Sequence, residues 1–309
     1  MNKPAEIFVK KYQAPQLFWC RWLLPLFIAL LLLSFSMSWL MQSQTGRLPS
    51  HGGLTRNAYA QPEPQQISSP GQSFSTYFPA DRLSRCLNME LVIAIDVGHT
   101  PKASGVKSAR GISEYQFNLR LAKRLLKRLH KQGFHQAFLL TANNPGMGLL
   151  ERAFQAKRQH ADLLLSIHHD SAQLQYFSQW QYRGRTLPYS DHFKGHSLFF
   201  SGKNAKAEQS LHFARLLGDE LLSLELSPTL HHAEAIKGEN RPLVDREKGI
   251  YQFDNLILLK NAEMPAVLLE AGVIVNREEE MKLNQPQYQY LLIAAVERAL
   301  LRFAHVPCQ

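Results

Sequence analysis

Cysteine is scarce in this chain: of 309 residues only Cys20, Cys86 and Cys308 are cysteines. Three cysteines exclude a disulfide-rich scaffold, and none of their spacings suits a zinc finger. RRM signatures and helix-turn-helix patterns are also missing, so nucleic acid is not expected as a partner. Internal repeats are absent, which excludes a repeat architecture. Acid is in short supply too, with 25 Asp and Glu against 35 Lys and Arg and a formal charge of +10. That balance favours an anionic partner, either an acidic membrane surface or an acidic polymer such as cell-wall glycan.

One long apolar run stands out against these absences. Residues 22–41 are almost wholly apolar and follow Lys3, Lys10, Lys11 and Arg21. About 20 apolar residues suffice to cross a bilayer, and a basic flank keeps the N-terminus cytoplasmic. A cleavable signal has a shorter apolar region of about 7 to 15 residues, so an uncleaved anchor is expected here. Ala58-Tyr59-Ala60 reads like a cleavage site but lies far beyond the run. With either outcome the remainder is expected outside the cytoplasmic membrane, in the periplasm or cell-wall space. Residues 42–87 are rich in Gln, Ser, Pro and Gly and read as a flexible tether. The chain thus divides into a basic cytoplasmic N-terminus (1–21), a transmembrane anchor or signal (22–41), a linker (42–87) and one folded domain (88–309). In an exported domain Cys86 and Cys308 would join the ends of the fold by a disulfide. Two unpaired thiols are the alternative.

The whole chain is 45% apolar, enough for one sizeable α/β domain plus appendages. Residues 91–95 form a buried-strand pattern. Helical spacing of Leu119, Ala122, Leu126 and Leu129 predicts a helix over Glu114–Lys131, with Ser113 and Gln116 as a capping box. Strands are predicted at 137–141, 163–167 (continuing into His168), 197–201, 256–259 and 266–269. Helices are predicted at 151–160, 205–223 and 286–303. Strands alternating with helices imply an α/β fold, a mostly parallel sheet flanked by helices on both faces. Residues 171–196 and 227–253 fit no regular element. Loops of that length are lids or binding loops when ordered, and the first is expected to face substrate.

Four short segments carry the chemistry: Asp96-Val97-Gly98-His99, Ser113-Glu114, Ser166-Ile167-His168-His169-Asp170 and Leu269-Glu270-Ala271-Gly272. Three of them follow apolar runs, where buried strands end, and open α/β sheets bind ligands outside the carboxyl ends of their strands. Two histidines and a carboxylate converging there suit a zinc that keeps one position open, with a second carboxylate as general base. Each residue alone has a plainer reading. His99 alone would be structural, and a carboxylate at Glu114 is favoured simply by the helix dipole. His168 and His169 point to opposite faces of a strand, so only one can enter a given site. Glu270 ends five apolar residues, and a carboxylate there is costly to bury unless paired or functional.

Together these segments resemble the zinc-dependent N-acetylmuramoyl-L-alanine amidases, the amidase type 3 cell-wall family, over about residues 91–303. Asp96-Val97-Gly98-His99 is similar to that family's Asp-Pro-Gly-His segment. Gly111-Ile112-Ser113-Glu114, with Asn118 and Leu119, is similar to its second-ligand helix start. Arg152, Ala161-Asp162 and Ser166-Ile167-His168 match its arginine-bearing helix and Ser-Ile-His strand. Residues 265–272, with Asn276, match its C-terminal catalytic segment. The resemblance implies one Zn2+ held by His99, Glu114 and His168, and Glu270 as the catalytic carboxylate. His168 is preferred to His169 because it follows the serine by two residues. The implied substrate is peptidoglycan, cut between N-acetylmuramic acid and L-alanine, and an activator protein is a further possible partner.

Val97 replaces the family's usual proline, Thr100-Pro101 its glycine-rich continuation, and Val273 its usual aromatic. The 171–196 segment is the larger departure and bears on substrate preference. Two rival functions share these residues. One is a zinc peptidase cutting within the stem peptide; the other is a non-catalytic cell-wall binding or activator module. Loss of a ligand or of Glu270 would mark the module, and none is missing.

Overall fold

A computed structural model describes residues 90–141 and 144–304. The apolar run at 22–41, the 42–87 linker and all three cysteines lie outside the described residues. Among the described residues no helix is long and apolar enough to cross a membrane.

The chain begins with β1 (Ile93–Val97), α1 (Glu114–Lys131), the short β2 (Phe138–Leu139), α2 (Leu149–Arg158) and β3 (Leu163–Asp170). Then come β4 (Ser178–Tyr182), β5 (Arg185–Tyr189), β6 (Ser197–Phe200), α3 (Ala207–Ser223), β7 (Leu243–Asp245) and β8 (Ile250–Gln252). The short α4 (Ile257–Asn261), β9 (Ala266–Val273), α5 (Arg277–Asn284) and α6 (Pro286–Phe303) complete it. Seven strands pair in the order β2-β1-β3-β9-β6-β8-β7, and β4 and β5 pair only with each other. The three central strands β1, β3 and β9 run parallel, while β6 runs antiparallel to β9 and β7 to β8.

Alternation along the strands builds one core on each face. Ile93 and Ile95, Leu163, Leu165 and Ile167, and Val267 and Leu269 pack with Leu121, Leu125, Phe213, Leu292 and Val296 of α1, α3 and α6. Ala94, Leu164 and Leu268 face the other way, onto Ala153 and Ala156 of α2 and Leu258 and Leu259 of α4. Each buried leucine contributes about 1.5–3 kcal/mol by leaving water. The core therefore holds the strand ends, and the loops beyond them, in fixed register.

Several expectations are corrected. Residues 256–259 form part of helix α4, not a strand. A short apolar run has no decisive period, and here Leu258 and Leu259 bury against α2 while Ile257 is exposed. The Asn204 amide donates to the carbonyls of Leu259, Ala262 and Met264, fixing the end of that helix. The capping box at α1 does not form: Ser113 makes no side-chain cap bond and Gln116 is exposed. Backbone carbonyls already take the first amides, Val106 from Glu114 at 2.9 Å and Ser104 from Tyr115 at 3.1 Å. The first strand also runs two residues further than 91–95, because Asp96 and Val97 pair with Ser166 and Ile167.

The 171–196 segment contains the β4–β5 hairpin. Its turn, Arg183-Gly184, has φ of 50° and 73°, the two positive values that a type I′ turn needs. An arginine at the first position hides that signal. Trp180 and Tyr182 stack on each other at 5.1 Å, and the Arg110 guanidinium lies 5.2 Å from the Trp180 ring. The 227–253 segment likewise supplies β7 and β8.

Helix α5 has little apolar content, yet Asn276 caps it by accepting from the Glu278 and Glu279 amides, both at 3.0 Å. Glu279 also accepts from the amides of Gly195 at 2.8 Å and Val273 at 2.9 Å. Burial nevertheless outweighs those bonds and pushes its carboxyl up to about 7. A raised carboxyl contributes stability that is complete below the unfolded value of 4.5 and is lost as pH rises through about 7. The unfolding free energy from urea denaturation should therefore fall between pH 5 and 8 by an amount on the order of 3 kcal/mol. Glu279→Gln should flatten that slope. A slope equal in both proteins would contradict the assignment.

Candidate metal centre

The site lies at the carboxyl-terminal parts of β1, β3 and β9, with His168 and Glu270 inside β3 and β9 themselves. His99 follows Gly98 in a left-handed conformation with φ of 69°, a strained state for a residue with a Cβ that surrounding contacts must hold. Arg152 supplies those contacts. Its Nη2 donates to the His99 carbonyl at 2.6 Å and its Nη1 to the Val97 carbonyl at 2.8 Å. Nη1 also meets Asp96 Oδ1 at 2.9 Å, while Ser166 Oγ donates to Asp96 Oδ2 at 2.6 Å. Arg152 and Asp96 are fully buried.

Glu114 sits at the base of the site, 4% exposed. His99 Nε2 lies 2.7 Å from its Oε2, and His168 Nδ1 lies 3.0 Å from its Oε1. One donor atom from each of the three residues lies within 4.8 Å of the others. The histidine side chains are 32% and 19% exposed, so the cluster opens to solvent above a buried carboxylate. Burial alone would raise the Glu114 carboxyl, but the bonds to His168 and His99 hold it far below the usual range. The bond to Glu114 in turn raises the His99 imidazole.

Two glycines make room for this arrangement. A Cβ on Gly98 would meet His168 Nε2 at 2.4 Å, and one on Gly105 would meet Glu114 Oε2 at 2.3 Å and His99 at 2.8 Å. Asn118, one turn after Glu114, donates to Glu114 Oε1 and to the Gly98 carbonyl, both at 3.2 Å. Neither Gly105 nor the bridging role of Asn118 is apparent from the motifs, although the four-residue spacing of Asn118 from Glu114 on a helix is a usable signal.

His169 turns to the opposite face. Its Nδ1 pairs with Asn118 Oδ1 at 2.7 Å, its ring packs against Phe117, and burial pushes the imidazole down to about 3. It is neutral, and the site takes its neighbour His168.

Glu270 pairs in register with His168 across the β3–β9 ladder. The residue is partly exposed, but its Oε2 is sealed from solvent and has no hydrogen-bond partner. Burial raises its carboxyl well above the ordinary value, and the charges of Asp170 and Glu114 add to the rise. Such a group takes up a proton readily beside the three-residue cluster. The donor set of two imidazoles and one carboxylate, with solvent access on one side, fits a borderline divalent metal that keeps an open position.

Comparisons with known proteins place the chain in a family. A putative N-acetylmuramoyl-L-alanine amidase of Buchnera aphidicola is 26% identical over 219 residues, covering 69% of this chain and 96% of that protein. The Escherichia coli amidase AmiC is 24% identical over 212 residues, or 64% of this chain, and the alignment covers about half of AmiC, 49%. Among solved structures, an N-acetylmuramoyl-L-alanine amidase from Clostridium difficile shares the fold with a TM-score of 0.54 at 23% identity. That match covers 69% of this chain and 96% of the other. Residues 93–302 match the model of the Amidase_3 family, described as N-acetylmuramoyl-L-alanine amidase, and the chain belongs to that family.

Proposed function

We propose that this protein is a zinc-dependent N-acetylmuramoyl-L-alanine amidase that hydrolyses the amide between N-acetylmuramic acid and L-alanine in peptidoglycan. The observation that carries the reading is the convergence of His99, Glu114 and His168 within 4.8 Å, beside Glu270, in a chain of the amidase family. When bound by these three side chains, zinc supplies Lewis acidity toward the amide carbonyl and toward water. Glu270 accepts the proton of the attacking water and delivers it to the departing L-alanine amine. A carboxyl with a raised pKa suits both halves of that transfer, because general acid–base catalysis is most effective when the pKa lies near the working pH. Asn118 keeps the Glu114 carboxylate aimed upward, and Arg152 holds the turn that presents His99.

The N-terminal sequence bears on location. The apolar run at 22–41 behind basic residues supports a single-pass anchor in the inner membrane, with the amidase domain on a tether at the cell wall. The +10 charge suits a wall polymer carrying carboxylates.

The direct test incubates the zinc-loaded full chain, in detergent, with purified peptidoglycan and reads the products by mass spectrometry. Free stem peptides beginning at L-alanine are the expected products. Fragments cut within the stem would assign a peptidase instead, and intact peptidoglycan carrying bound protein would assign a binding module. Glu114→Ala should lower zinc affinity at this site by at least tenfold, since it removes a ligand and the partner of both histidines. Retention of that zinc by Glu114→Ala would reject the ligand set.

A further inference from the structure

A second cluster lies next to the first, and its two histidines, His231 and His232, belong to neither the family motifs nor the chemistry above. Asp170 ends strand β3, two residues beyond His168 and past an irregularity in the β3–β9 pairing. His231 and His232 come from a segment some 60 residues away and turn their Nε2 atoms toward it. His232 Nε2 lies 2.7 Å and His231 Nε2 3.5 Å from Asp170 Oδ2. One donor atom from each of the three lies within 4.8 Å of the others.

Three features separate this cluster from an ordinary buried ion pair. First, the His231 side chain is only 1% exposed, and its Nε2 makes no hydrogen bond. A buried ring nitrogen without a hydrogen bond is unfavourable. Second, the far nitrogen of each ring is already held. Thr229 Oγ1 lies 2.8 Å from His231 Nδ1, and Glu239 Oε2 lies 2.8 Å from His232 Nδ1. Glu239 in turn accepts from Gln173 Nε2 at 2.6 Å. Metal-ligating histidines characteristically have the other nitrogen fixed in this way, by a carboxylate or similar group. Third, two carboxylates, Asp170 and Glu239, are packed here with no arginine or lysine among their bonded partners on the described residues. A dication answers that charge where one imidazolium answers half of it.

The shell is also apolar. Phe193 stacks on His231 at 4.6 Å, Phe199 meets the His232 ring edge-on at 4.9 Å, and Tyr251 lies 5.4 Å from it. The Tyr251 hydroxyl donates to the Thr229 carbonyl at 3.0 Å, bracing the turn before the histidines.

We infer that Asp170, His231 and His232 form a second divalent-metal site, of zinc type, that pins the 229–239 segment to the strand carrying His168. Tetrahedral zinc with ligands at 2.0–2.1 Å sets donor atoms about 3.3 Å apart. The two spacings from Asp170, 2.7 and 3.5 Å, bracket that value, and all three donor atoms lie within 4.8 Å of one another. A carboxylate and two imidazoles match zinc better than calcium or magnesium, which take oxygen ligands. The site does not require the amidase reading, and its test keeps the two apart.

The test is metal stoichiometry on the full chain in detergent, stripped with a chelator, reloaded with Zn2+, desalted and measured by plasma mass spectrometry. The wild type is expected to carry two zinc ions per chain. Glu114→Ala should carry one, and His231→Phe, which keeps ring volume and the stack on Phe193, should also carry one. Asp170→Asn, nearly isosteric, serves as the second variant should the phenylalanine unsettle the fold. Loading with Co2+ provides an independent signal: Glu114→Ala should keep visible cobalt absorption that Glu114→Ala/His231→Phe loses. A wild type with a single zinc that Glu114→Ala abolishes would overturn the second site and leave the amidase centre standing. A single zinc kept by Glu114→Ala and lost in His231→Phe would uphold this site and overturn the other.

Discussion

Glu270→Gln is expected to lower amidase turnover by about 10²- to 10⁴-fold, the usual contribution of a positioned general acid–base group. Zinc content should stay at the wild-type level, because Glu270 is not one of the three clustered donors. Stability should hold or rise. Glu270 Oε2 is buried without a partner, and the nearby charges of Asp170 and Glu114 oppose its ionisation. A neutral amide of the same shape removes that opposition. Lost activity with unchanged or higher thermal midpoint is the pattern of a residue kept for chemistry at the expense of stability. The measurements are turnover on peptidoglycan, zinc content and thermal midpoint on one preparation. Zinc loss in Glu270→Gln would make it a ligand and defeat the proton-transfer role, and so would turnover within tenfold of wild type.

Arg152→Ala should have the largest effect on folding. The guanidinium is 2% exposed and meets Asp96, also buried, at 2.9 Å, together with the carbonyls of Met147, Val97 and His99. Removing one member of a buried pair leaves an uncompensated charge and typically costs about 3–5 kcal/mol. Three carbonyls lose a donor as well. Arg152→Lys should recover only part, since an ammonium cannot reproduce the planar fork that reaches four acceptors. The double variant Arg152→Met/Asp96→Asn should be more stable than Arg152→Ala, because it removes both charges. Urea denaturation measures all of these. Arg152 also restrains the strained turn at His99, so Arg152→Lys should bind zinc more weakly than wild type even where it is folded. A loss below about 1 kcal/mol in Arg152→Ala would contradict the clamp.

Much of the fold is legible along the chain, for reasons that differ by element. The spacing of apolar residues in Glu114–Lys131 and the Pro286 start of the last helix mark those two helices at their observed limits. The central strands are readable because strands buried on both faces are nearly continuous apolar runs. Helix α5 escapes the same reading because Arg277-Glu278-Glu279-Glu280 presents almost no apolar period. Its signature is the cap, Asn276 followed three residues later by Glu279. The β4–β5 hairpin escapes because its turn uses arginine at a position with positive φ, where asparagine or glycine is the usual marker.

The sequence by itself determined the central strands and four of the helices, the chemistry-bearing segments at their ends, and the apolar run that precedes them. Those features are local: hydrophobic period, caps and strand ends are written within a few neighbouring residues. The tertiary structure decided which side chains meet. The face taken by His168 rather than His169 depends on the pairing of β3 with β9, and the space for both imidazoles depends on Gly98 and Gly105 lying against them. Asp170 and His232, 62 residues apart, are joined by the path of the 227–253 segment across the sheet. No local pattern records that path, because it is set by two separately packed faces of one core.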